Sequence, residues 1–74
     1  MTTEITVFSM KKLPDGSATI AEKGEPVDFW DICVRDEKSN WIDGVEDLTR
    51  TEEVDENVTW LLEKYPGAEL EYVW

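Results

Sequence analysis

The side chains able to do chemistry in this chain are nearly all carboxylates. Between Asp43 and Glu56 stand Asp43, Glu46, Asp47, Glu52, Glu53, Asp55 and Glu56, against a single base, Arg50. Two carboxylates facing each other across a cleft can cleave a glycosidic bond, and carboxylates alternating with Asn and Gly can hold calcium. Asp43-Gly44-Val45-Glu46-Asp47 lacks that alternation, and so short a chain rarely closes a cleft around a substrate. The commonest general base is missing, because the sequence has no His. The one thiol, Cys33, shares a strand face with Asp31 and Arg35; with an acid as well as a base beside it, activation is not favoured on balance, so Cys33 reads as a small structural side chain. No glycine-rich phosphate loop, serine-nucleophile pattern or zinc set occurs. The expectation is a protein that is not an enzyme and uses no cofactor or metal.

What remains for the acids is binding through charge. The 74 residues carry 18 Asp and Glu against 7 Lys and Arg, a formal net charge of -11. A chain that grips nucleic acid presents a basic face, so direct nucleic-acid binding is not expected. No apolar run approaches the ~18 residues that span a bilayer, and the N-terminus lacks the apolar core of a secretory signal. A cytoplasmic protein with no membrane partner is expected. Four Trp, two Tyr and two Phe argue for folding in spite of the charge. One domain over 1–74 is expected, with a core near the lower size limit for independent stability.

These side chains must be positioned by a small set of elements. Residues 4–12 are β-branched and aromatic, with Ile5 and Val7 on one face and Phe8 and Met10 on the other. Pro14-Asp15-Gly16-Ser17 is a turn, and 18–23 return as a second strand. Residues 27–35 alternate again, with Trp30, Ile32 and Val34 on one face; a short helix is the alternative there. Trp41-Ile42 starts a short fourth strand or anchors a loop, cut off by Asp43-Gly44. Val54, Val58, Leu61, Leu62 and Tyr65 then recur on one face of a helix over about 52–65. Thr51 is the candidate N-cap, and Pro66-Gly67 ends the helix. Residues 68–74 alternate as a last strand, with Leu70, Tyr72 and Trp74 on one side. The order β-β-β-(β)-α-β predicts an α+β domain: a small, mostly antiparallel sheet of three to five strands with one helix on one face.

At 100° per residue, Glu52, Glu56 and Glu63 lie opposite the apolar stripe, with Glu53 on the flank. Trp60 falls among them. A Trp ringed by carboxylates reads as an interface anchor, since Trp is enriched at binding hot spots; the alternative is that it folds down under the 43–48 segment. A rigid array of carboxylates can take the place of phosphates in a groove lined by Lys and Arg, steered there by long-range attraction. The candidate partner-binding residues are Asp43, Glu46, Asp47, Glu52, Glu53, Glu56, Trp60 and Glu63.

On its size, the Asp43–Glu56 acidic block, the outward Glu52, Glu56 and Glu63 row and the lack of a catalytic set, the chain resembles a class. That class is the small acidic inhibitors that phages encode against bacterial defences, the anti-CRISPR and anti-restriction proteins. The resemblance carries over no family's binding residues. It implies a target such as a Cas protein, a guide-RNA complex or a restriction enzyme in the host cytoplasm. The expected function is therefore a non-enzymatic inhibitor that covers the basic surface of a nucleic-acid-binding protein, as a nucleic-acid mimic. The alternative is a protein–protein assembly module, a homodimer joined through Trp60 and the Trp41 region with the acids as its rim. A solvated face that only keeps the protein soluble is the plainest source of such charge.

Overall fold

The computed structural model describes residues 2–73. Strands β1 (Glu4–Lys12), β2 (Ala18–Ile20), β3 (Phe29–Arg35) and β4 (Trp41–Leu48) are followed by α1 (Thr51–Lys64) and β5 (Glu69–Val73). The fold is α+β, with one helix packed on one face of a five-stranded sheet. β1 is the central strand. It pairs antiparallel with β3 over its whole middle, from Glu4↔Arg35 to Met10↔Phe29. Its other side is shared end to end: β5 runs parallel along Glu4–Phe8, and β2 runs antiparallel along Met10–Lys12. β4 pairs antiparallel with β3 and forms the far edge. β4 and β5 therefore point the same way, and α1 is the crossover that such a pair requires.

The alternation in β1 and β3 sends Ile5, Val7, Ile32 and Val34 to the face that α1 covers. Val54, Val58 and Leu61 meet them from the helix, and Leu48 closes the end. Each of these aliphatic side chains contributes about 1.5–3 kcal/mol by leaving water. Leu62, at the edge of the helical stripe, stays exposed. The turns use their residues as the types dictate. Asp15 Oδ1 accepts the Ser17 N–H at 2.9 Å, and Gly16 takes the positive φ of 89° that the tight reversal needs. Asp36 closes the β3–β4 turn by accepting the Lys38 and Asn40 N–H groups, both at 2.9 Å.

Several boundaries differ from the sequence reading, and the third strand begins at Phe29 rather than at 27. The fourth strand does not stop at Asp43-Gly44 but continues to Leu48. Gly44 pairs with Cys33, and the Trp41 indole lies over it, so an aromatic ring fills the space that a side chain at 44 leaves open. The strand bends instead of ending, through register shifts between Trp30 and Ile32 and between Val34 and Arg35. The helix N-cap is Arg50 and not Thr51: Arg50 is extended, and its carbonyl accepts from Glu53 and Val54. The second strand is shorter than 18–23, because after Ile20 the chain turns inward, bonding the Ala21 N–H to the Ser9 carbonyl at 2.8 Å. Trp74, read as the end of the last strand, lies outside the described residues.

Candidate functional site

The outer face of α1 is built by helical spacing alone. Glu52, Glu56 and Glu63 are exposed, and Glu53 is half-buried beside them. Glu52 has Arg50 at 3.6 Å, whereas Glu53, Glu56 and Glu63 form no ion pair among the described residues. Trp60 stands in this row and is 50% exposed. Its ring faces Lys64 Nζ, 4.9 Å from the ring centroid, a cation–π contact one helical turn away. The indole is thus held in place on one side and open on the other.

Lys64 links the row to the sheet. Its Nζ reaches Asp43 Oδ2 at 2.8 Å, and the Tyr65 hydroxyl donates to the same oxygen at 3.0 Å. Asp43 Oδ1 also accepts the Gly44 N–H at 2.9 Å. The Lys64 hydrogen bond, joined by those from Gly44 and Tyr65, holds the Asp43 carboxyl below its ordinary value. The same pairing with Asp43 raises Lys64, and burial together with the bond to Asp43 raises Tyr65. Asp43 is therefore engaged inside the molecule and is not a free carboxylate of the row. Its carbonyl in turn accepts the Trp41 indole N–H. Two exposed indoles, Trp60 and the 62% exposed Trp41, are joined through Asp43 and Lys64.

Glu46 and Asp47 are placed elsewhere. Trp41 pairs with Arg35 on the sheet face turned away from α1. On that side Phe8, Asp31, Cys33, Arg35, Trp41 and Glu46 line a depression of ≈ 430 Å³. Asp47 is exposed at the β4 bulge, with a positive φ of 59°, and its N–H donates to Asp31 Oδ1 at 3.0 Å. The structure thus brings Glu52, Glu53, Glu56, Trp60 and Glu63 onto one surface and sets Glu46 and Asp47 apart from them. The tie between Trp41 and Asp43 escaped the sequence reading. Its only trace was an aromatic two residues before an Asp-Gly pair, a pattern that also marks a loop.

Among the described residues no three Cys, Asp or Glu side chains converge closely enough to hold a metal ion. Among them also, no helix is long and apolar enough to cross a membrane. Comparison with known protein families, curated proteins and solved structures returns no match.

Proposed function

We propose that this protein is a non-enzymatic, cytoplasmic inhibitor whose outer helix face covers a basic, nucleic-acid-binding surface of a partner protein. The observation that supports the reading most is the half-exposed Trp60 among Glu53, Glu56 and Glu63, acids with no ion pair of their own among the described residues. Carboxylates about one to two helical turns apart offer a row of negative charge to Lys and Arg side chains that otherwise grip phosphates. Trp60 adds apolar contact at the centre of that row, where hot spots concentrate. A net charge of -11 steers the encounter. In this reading the partner belongs to a bacterial defence system, a CRISPR-Cas or restriction component.

Affinity capture from a bacterial lysate at low salt, with elution by a salt gradient, tests the proposal. A nucleic-acid-binding protein should be retained by the wild type and lost by Glu52→Lys/Glu56→Lys/Glu63→Lys. Retention that is indifferent to salt and to those reversals rejects it.

A second reading is favoured by the link from Trp60 through Lys64 and Asp43 to Trp41, beside the exposed Ile42. These apolar groups suit an assembly interface with the acids as rim, including a homodimer. Light scattering separates the two: a tight dimer that dissociates in Trp60→Ala supports the assembly module.

A further inference from the structure

The two edges of the sheet are protected differently. β4 carries two register shifts and a left-handed residue at Asp47, distortions that blunt an edge against further pairing. β5 keeps an unshifted register with β1 from Glu69 to Val73, and among the described residues it has no strand on its other side. The Glu69 N–H donates to the Thr3 carbonyl at 2.9 Å. Alternation then aims the backbone groups of Glu69, Glu71 and Val73 at β1 and turns those of Leu70 outward.

The side chains along this edge specify what fits it. Leu70 and Tyr72 pair with Ile5 and Val7 on the α1 side of the sheet, yet they stay 37% and 44% exposed. The helix packs mainly over β3 and β4, which leaves both side chains partly open to solvent. Glu69, Glu71 and Glu4, from the other face, meet Leu70 around a depression of ≈ 460 Å³ at the edge, with no base in its lining. A second copy pairing antiparallel through β5 in registers centred on Leu70 or Glu71 sets glutamates opposite glutamates, which is destabilising. A strand that alternates apolar and basic residues meets apolar with apolar and acid with base.

We propose that the β5 edge receives an extended segment of a partner protein, alternating apolar side chains with Lys or Arg, by strand addition. The apolar side chains lie against Leu70 and Tyr72, and the basic ones against Glu69, Glu71 and Glu4. This edge lies across β1 and β3 from β4, and it does not depend on the helix row being a binding site.

The test uses the whole chain, isotope-labelled for NMR, and two short capped peptides of equal composition. One alternates valine and lysine, and the other holds them in two blocks. The alternating peptide is expected to bind about tenfold tighter and to slow hydrogen exchange at the Leu70 amide. Glu69→Lys/Glu71→Lys should abolish that binding and accept an alternating valine–glutamate peptide instead. Glu52→Lys/Glu56→Lys/Glu63→Lys should leave it intact, so failure of the helix-row reading is distinguishable from failure of this one. Leu70→Pro removes the outward N–H; if that variant does not fold, the Glu69 and Glu71 reversals still decide. Equal affinity for the two peptides, or perturbation confined to α1, overturns the proposal.

Discussion

Asp43 shows how one carboxylate in an acidic chain differs from its neighbours. It accepts from Lys64, Gly44 and Tyr65, and its carboxyl is held below the ordinary value. A carboxylate with a lowered folded pKa stabilises above its unfolded value, near 3.9, and that contribution fades as pH falls through the folded value. Asp43→Asn should therefore cost about 1 kcal/mol at neutral pH and progressively less in acid. Urea midpoints of the two proteins, measured at pH 7 and again near pH 2, should converge; a gap that persists in acid contradicts the assignment. Trp60 and Leu61 are adjacent in sequence and opposite in role. Leu61 is fully buried, so Leu61→Ala should cost about 3 kcal/mol, while Trp60→Ala should stay within about 1 kcal/mol because half of its surface already faces water. Thermal melts of the two variants check this.

β4 is the element whose length the pattern hid. An Asp-Gly pair ordinarily signals a turn. Here Gly44 lies flat in the ladder because the Trp41 ring packs over it; a Cβ there meets the Ile32 carbonyl and the indole nitrogen, both at 2.8 Å. Gly44→Ala should destabilise by about 1–3 kcal/mol through this overpacking, and the loss should appear in chemical denaturation with an unchanged slope. A neutral result means the strand can shift at no cost. The helix was readable, since Val54, Val58 and Leu61 repeat at its period and are buried as a stripe. Its cap was not, because Thr is a favoured capping side chain whereas the extended conformation falls on Arg50, which makes no side-chain cap hydrogen bond.

For the molecule as a whole, charge opposes compactness. A net charge of -11 on 74 residues raises the free energy of the folded state by self-repulsion. Salt screens it within about 10 Å at 0.1 M. The melting temperature should rise as NaCl increases from low ionic strength, and a flat response means that the acids are spaced too far apart to repel. The molecule measures 39 × 26 × 19 Å, and its acids lie on separate surfaces. The helix row, Glu46 with the back-face depression, and Glu4, Glu69 and Glu71 beside β5 are three such surfaces.

Local information was enough for the α+β class, the order of the elements and the helix; it set Trp60 on the outer helix face but left open whether the ring folds under the 43–48 segment, and only the structure shows it half-exposed. Hydrophobic period and helical angle are properties of neighbouring residues, and they survive any tertiary arrangement. Pairing partners are not local. That β5 lies parallel to β1, that Trp41 fills the space over Gly44, and that Lys64 withdraws Asp43 from the acidic row each depend on residues 20 or more positions apart, or on a ring folding back over its own strand. Only packing the helix over β3 and β4 could decide which carboxylates share a surface, because a helix face and a sheet face acquire relative positions when they are docked.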